Sequence, residues 1–483
     1  MVDRDRLPGE RGRRGHRDVR RHGGRGPGHR GPAPVHRAGR GTDRRGRPRH
    51  RGLRPRLVRR QGGSGKGAGV GRDELVRTAP SVSGVGGRAF TPVFAVLDPL
   101  RAVGALAVVV THATFWTGDY VRHGVLGSVL ARLDVGVAIF FVLSGFLLSH
   151  HYLSRAWNRE PAEPTGRYFW KRFLRIYPAY VVAVLLAMVF IEDNSDATFT
   201  DWATVLLMGD IYATDTYRPG LTQMWSLATE VSFYLALPVL MLLATGRSGA
   251  RPRTRRVLSV VGAMCAVNVL WTLALQQRVQ DGLATGVPGN WLPSYLLWFG
   301  AGIALAWAHL LHQNGRAGAV TQALASLGRS PGVCWTLALG LLVVAATPLG
   351  GPTMLAPPTE AEALTKQVLY AAIGAVLVTS GAFNAPDSRY THLMSRPLLR
   401  HLGHISYSVF CLHLVVLHFV MWVTPYELFV GTNGPQVVGL TLLITLPLAE
   451  LLYRFVELPA MRLRSLGRAA EDTTRTIASS TAS

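Results

Sequence analysis

After residue 94 the chain is divided by ten apolar runs, at 95–116, 133–152, 176–192, 224–245, 257–275, 292–311, 333–349, 367–383, 404–424 and 436–456. Each is close to the roughly 20 residues that a helix needs to cross the hydrocarbon of a bilayer. Backbone N–H and C=O groups find no water there, so a spanning run must satisfy them within its own helix. The pattern therefore predicts an all-α, polytopic integral membrane protein of about ten transmembrane helices. Asp201–Tyr212 is also apolar. At about a dozen residues it is too short to cross, and it is expected to form an interfacial or re-entrant helix.

The positive charge between the runs sets their orientation. The segment before the third run carries Arg155, Arg159, Arg167, Lys171, Arg172 and Arg175, and RSGARPRTRR follows the fourth. Arg316 and Arg329 follow the sixth run, Arg389, Arg396 and Arg400 follow the eighth, and Arg454, Arg462, Arg464 and Arg468 lie at the end. The alternate loops are poor in Arg and Lys, and 193–223 is acidic, with Asp193, Asp196, Asp201, Asp210 and Asp215. Every second loop is basic, which predicts cytoplasmic termini and a plasma-membrane location.

Some polar side chains lie where the bilayer makes them costly, and such residues usually line cavities or carry chemistry. The first run, LDPLRAVGALAVVVTHATFW, holds Asp98, Arg101 and His112. On a helix Arg101 and His112 share one face, about 16 Å apart in depth. Glu230 lies in QMWSLATEVSFYLALP at the start of the fourth run. It either orients a histidine or a substrate hydroxyl, or it partners a span arginine such as Arg101. Depth favours the first, since counting from the outer ends places Glu230 level with His112 and Arg101 nearer the cytoplasm.

Ser144–Gly145, in VAIFFVLSGFLLSHHYL, fits close helix packing. Arg172 and Arg175, in RYFWKRFLRIYPAY, share a helix face. They could clamp phosphates bidentately or serve as ordinary anchors beside the aromatic belt of Tyr168, Phe169 and Trp170. Ser406, Tyr407 and His413 lie in LGHISYSVFCLHLVV of the ninth run. A lone histidine there is equally explained by a hydrogen bond to a backbone carbonyl.

Composition adds a second region. Residues 1–90 hold 25 Lys+Arg against 7 Asp+Glu, a net of 25 − 7 = +18 of the chain's +24. This Arg/Gly-rich leader has no aromatic residue before Phe90, so it cannot bury enough apolar surface to fold and is expected to be disordered. It also lacks the apolar middle of a signal peptide. A basic arm could bind anionic lipid or nucleic acid, but without interleaved aromatics no nucleic-acid partner is expected. The other readings are a cytoplasmic tail without a partner and an over-called start, which a native peptide from residues 1–60 would exclude. Cys265, Cys334 and Cys411 sit in apolar runs and read as small fillers. No Cys/His spacing suggests a metal.

Taken together, LDPLRAVGALAVVVTH, IFFVLSGFLL, KRFLRIYP, WSLATEVSFY, LGHISYSVFCLH and FVELPAMRL occur in an order that resembles the acyltransferase-3 family of integral membrane O-acyltransferases, over residues 92–465. The resemblance implies an enzyme that moves an acyl group, taken as acetyl, from cytoplasmic acyl-CoA to a hydroxyl. The acceptor would be a sugar, a cell-envelope glycan or glycolipid, or a small natural product. Acyl-CoA would be the donor substrate, with no bound cofactor. By this match His112 is the essential histidine and Glu230 the second catalytic candidate. Arg101, Arg172 and Arg175 would bind acyl-CoA, with Asp98, Ser144, Tyr407 and His413 in support. Two positions depart from the family pattern: Pro99 stands where Gly is common, and Val231 replaces a second acidic residue after WSL. No esterase-like domain is expected after the last run, and 466–483 is expected to be a disordered cytoplasmic tail.

Acyl transfer from a thioester to an alcohol needs a base, a positive feature for the oxyanion and a dry site. Neutral His112 is the candidate base, because imidazole titrates near neutral pH. The other function classes are a proton-coupled transporter using Arg101, His112 and Glu230 as a relay, and an inactive scaffold of the same fold. No inverted repeat supports the transporter. Retention of His112 and the arginine pair argues against the scaffold.

Overall fold

The computed structural model describes residues 94–246, 251–353 and 356–465. The chain divides into two units, Met1–Val85 and Gly86–Ser483, and every described residue belongs to the second. The expected basic leader, 1–90, and the expected tail, 466–483, lie outside the described residues.

Among the described residues every regular element is helical and there is no strand. Nine helices are long and apolar enough to cross a membrane, or ten if one bent pair counts as a single span. The chain is a multi-pass membrane protein. The principal helices are α1 (Asp98–Thr117), α2 (Val135–Trp157), α3 (Thr165–Phe190), α4 (Trp225–Thr245), α5 (Thr254–Leu270) and α6 (Leu296–Gln313). They are followed by α7 (Ala319–Gly328), α8 (Pro331–Ala345), α9 (Glu360–Ala382), α10 (Pro397–Val423) and α11 (Gly434–Leu452). Pro99 falls in the first turn of α1, where a missing N–H leaves no helix hydrogen bond unmade.

Two spans differ from the sequence expectation. The third begins at Thr165 rather than near residue 176, because the basic, aromatic segment RYFWKRFLRIYP continues the helix and a hydropathy window does not register it. The seventh, expected as one run at 333–349, is a pair of helices, α7 and α8, bent by 95°. Pro331 opens α8, and a residue before proline is pushed out of the helical region. Ser330 accordingly sits at φ −115°, ψ 69°. Around Asp201–Tyr212 the chain forms two short helices, Phe199–Leu206 and Asp210–Ala213, separated by Met208 at φ +56°.

In lipid, helices associate through close packing and interhelical hydrogen bonds rather than through a hydrophobic driving force. A Cβ added at Gly136 on α2 would lie 2.3 Å from the Gly104 carbonyl oxygen of α1. One added at Gly145 would lie 2.3 Å from the Phe299 carbonyl oxygen of α6. Phe233, Phe299 and Phe141 stack in a column, with centroids 3.9 Å and 4.5 Å apart, that ties α4, α6 and α2 together. Arg132 is buried and donates to the carbonyls of Ala345 (2.9 Å), Gly350 (2.8 Å), Gly351 and Pro352 (3.1 Å), holding the turn that follows α8. Cys265, Cys334 and Cys411 are free thiols.

Candidate active site

A cavity of about 130 Å³ opens between α1, α2, α3, α4 and α10. Its polar wall is made by Arg101 of α1, Ser144 of α2, Arg172 and Arg175 of α3, Ser226, Glu230 and Tyr234 of α4, and Ser406 and Tyr407 of α10. Phe140, Phe141, Leu147, Leu148 and Phe410 supply the apolar part. Glu230 accepts hydrogen bonds from the hydroxyls of Ser144 and of Tyr234, the latter at 2.7 Å. Ser144 and Gly145 thus divide two tasks between adjacent positions: the hydroxyl faces the cavity while the glycine admits α6.

The arginines are held differently. Arg101 pairs with Asp98 one turn away at 3.1 Å, and Asp98 also meets Arg400 at 3.3 Å and His404 at 3.5 Å. An anion in the first turn of α1 also suits the positive end of the helix dipole. Arg175 forms a 2.7 Å ion pair with buried Glu457, which Ser408 also engages, and it lies 5.7 Å from the centroid of the Tyr407 ring. Arg172 makes no ion pair among the described residues. Its guanidinium lies 6.0 Å from the Tyr168 ring and 5.9 Å from the Tyr234 ring, and its Nε is buried without a hydrogen-bond partner.

A second cluster lies further along α1 and α10. His413 Nδ1 is 2.7 Å from the Phe410 carbonyl oxygen, and its Nε2 is 3.2 Å from His112 Nδ1. His112 Nδ1 is also 2.9 Å from the Val108 carbonyl oxygen. Carbonyl oxygens only accept, so the network assigns the hydrogen to Nδ1 on each neutral ring. His413 Nε2 then presents a lone pair to His112 Nδ1–H, and His112 Nε2 keeps its own lone pair for a substrate. Phe410, which lines the cavity, is thus joined through its carbonyl to the histidine pair.

The structure therefore gathers Arg101, Arg172, Arg175, Ser144, Glu230 and Tyr407 around one cavity. Asp98 braces Arg101 from outside it, and His112 and His413 form the neighbouring pair. The expectation that depth separates Glu230 from Arg101 does not hold, since both line the cavity. Gln223, two residues before α4, donates to the Cys411 carbonyl of α10 at 3.2 Å. α4 therefore starts inside the bundle beside the histidine level, and Glu230 lies about 10 Å further along. Sequence reasoning missed Glu457, Tyr234 and Ser226. Glu457 had a signal, a carboxylate within the motif FVELPAMRL.

A family model described as an acyltransferase domain matches residues 94–454, most of the chain. The chain belongs to the acyltransferase-3 family. Among acyltransferase-3 relatives, acyltransferase MdmB of Streptomyces mycarofaciens is 28% identical over 395 residues, covering 77% of this chain and 92% of the relative. Nodulation protein 10 of Rhizobium leguminosarum bv. viciae is 27% identical over 399 residues, 76% of this chain and 93% of the relative. Peptidoglycan O-acetyltransferase OatA of Listeria monocytogenes is 26% identical over 161 residues, 30% of this chain and 24% of that protein. No solved structure matches the chain. Family membership makes this protein a membrane acyltransferase, and the cavity described above lies within the acyltransferase domain.

Proposed function

We propose that the protein is an O-acyltransferase of the cytoplasmic membrane that moves an acyl group, acetyl in the first instance, from cytoplasmic acyl-CoA to a hydroxyl of a carbohydrate acceptor. The observation that carries this reading is the cavity that unites Arg101, Arg172, Arg175 and Glu230. Guanidiniums suit phosphate groups, and the Arg/Lys bias of the loops supports a cytoplasmic position for this end of the bundle. The name of the Listeria relative favours a glycan acceptor. A glycolipid or a small natural product with a free hydroxyl offers the same nucleophile.

In the reaction His112 Nε2 takes the proton of the acceptor hydroxyl while that oxygen attacks the thioester carbonyl. The negative charge that gathers on the carbonyl oxygen is met by hydrogen-bond donors of the cavity wall. Collapse expels the CoA thiolate, which takes up the proton held by His112, leaving an ester and free CoA. The Val108 carbonyl keeps His112 in the productive tautomer, and His413 Nε2 adds a second acceptor to the same N–H. Arg172 and Arg175 hold the phosphate end of the donor, and the pantetheine arm runs past Arg101 along the roughly 16 Å to His112. Glu230, held by Ser144 and Tyr234, offers a fixed acceptor to a substrate hydroxyl or amide.

The test uses membranes containing the chain, acetyl-labelled acetyl-CoA and a His112→Ala control of equal abundance, with lipid, glycan and small-molecule fractions counted separately. Label in one fraction that disappears with His112→Ala is the expected result. Equal label in both samples would remove His112 from the reaction.

A further inference from the structure

The last described turn of the chain, Leu463–Ser465, packs back against α3, the helix that carries Arg172 and Arg175. It brings a third guanidinium, Arg464, to the same end of the bundle. Arg464 lies outside the cavity wall and beyond the last apolar run. We propose that Arg464 completes, with Arg172 and Arg175, a seat for the phosphate groups of the acyl donor, so that a nucleotide-bearing thioester is selected over the bare pantetheine thioester. The seat rests on geometry; its assignment to the donor rests on the function proposed above.

Three observations carry it. First, the Nε atoms of both Arg172 and Arg464 are buried and have no hydrogen-bond partner among the described residues. A buried donor left unmade is costly, and a ligand oxygen that reached these Nε–H groups would relieve that cost. Second, the charges do not balance. Among the described residues Arg464 faces Arg172 and Arg175 with Glu457 as its counter-charge, and Glu230, on the cavity wall beside Arg172 and Arg175, is the second carboxylate of the cluster, giving 3 − 2 = +1. Glu457 is itself committed to Arg175 and Ser408. Third, burial, and then Arg172 and Arg175, bring the Arg464 guanidinium down to about 10. Three like charges are thus held together with two carboxylates among them, and the remaining positive charge suits a phosphate group. Planar guanidiniums bind such groups through paired N–H donors.

The experiment measures binding to the full chain purified in maltoside detergent, without phospholipid, by titration calorimetry. The probes, titrated separately, are CoA, pantetheine, inorganic diphosphate and phosphatidylglycerol in detergent micelles. Arg464→Gln is expected to weaken CoA about 10- to 100-fold, the loss for one charge-assisted contact, with pantetheine unchanged. Arg464→Lys keeps the charge without the fork and is expected to fall between the two. If Arg464→Gln does not fold, the lysine variant carries the test with the same pantetheine control. CoA affinity equal to wild type in Arg464→Gln would overturn the inference while leaving the acyltransferase reading intact. Parallel loss of CoA and pantetheine would also overturn it, since that marks a structural role. Diphosphate binding that depends on Arg464, in a protein that ignores CoA, would keep the phosphate seat and remove acyl-CoA as its ligand. Arg464-dependent binding of phosphatidylglycerol alone would give the seat to a lipid head group and overturn the proposal.

Discussion

The histidine pair permits a graded test. His112 Nδ1–H has two acceptors, the Val108 carbonyl oxygen at 2.9 Å and His413 Nε2 at 3.2 Å. The shorter contact is to the backbone and survives any change at His413. Replacing His413 by Leu therefore removes one hydrogen bond without releasing the tautomer. A net hydrogen bond contributes about 0.5–1.5 kcal/mol, which corresponds to roughly a 2- to 13-fold fall in kcat. His413→Gln supplies a carbonyl oxygen near the position of the lost Nε2 and is expected to recover most of that loss. His112→Ala removes the base itself and is expected to cost about 10²- to 10⁴-fold. The assay is initial-rate acetyl transfer in membranes at saturating acetyl-CoA, with protein amounts matched by immunoblot. A fall of three decades in His413→Leu, equal to that of His112→Ala, would refute the reasoning. The backbone carbonyl would then not fix the tautomer, and His413 would act directly on substrate.

Other outcomes follow from the packing. Gly145→Val would drive a side chain into the Phe299 carbonyl, 2.3 Å from the new Cβ, and should destabilise by at least about 1–3 kcal/mol; Gly262→Ala, with nothing within 4 Å, should be neutral or gain up to about 1 kcal/mol from helix propensity, and thermal unfolding in detergent separates the two. Arg132→Met would leave the carbonyls around Ala345 and Gly350 without their buried donor, and it should increase proteolysis in the turn after α8 before it affects donor binding. Glu163, between α2 and α3, is held down to about 2 by its hydrogen bond to His151 and then by Lys171. Its folded value lies below its unfolded value, so its contribution is complete above about pH 4.5 and is lost as pH falls toward 2. Stability measured from pH 6 downward should therefore decline in that window, and Glu163→Gln should flatten this part of the decline.

Much of the architecture is legible from length and charge, because a bilayer imposes a length on each crossing and a sign on each loop. The bend at Ser330–Pro331 escaped that logic, since a hydropathy window averages over a proline whose effect is local and angular. Glu230 was found as a costly carboxylate, yet its partners were misjudged. Counting residues inward assumes that every span starts at the surface, and Gln223 shows that α4 starts inside the bundle. Glu457 and Arg464 were visible as charges near the end of the last run, but nothing local distinguishes them from anchors.

The sequence by itself determined the number and approximate places of the apolar crossings, the alternation of basic loops and the costly residues Asp98, Arg101, His112 and Glu230. These follow from one-dimensional constraints that the solvent places on each segment separately. The tertiary structure decided which helices meet, and so which polar groups satisfy one another: Glu230 with Ser144 and Tyr234, Arg175 with Glu457, His112 with His413. Apart from Glu230 and Tyr234, one turn apart on α4, those pairs span tens to hundreds of residues along the chain. They depend on where glycines such as Gly136 and Gly145 let backbones approach, a property of two surfaces together that no single segment carries.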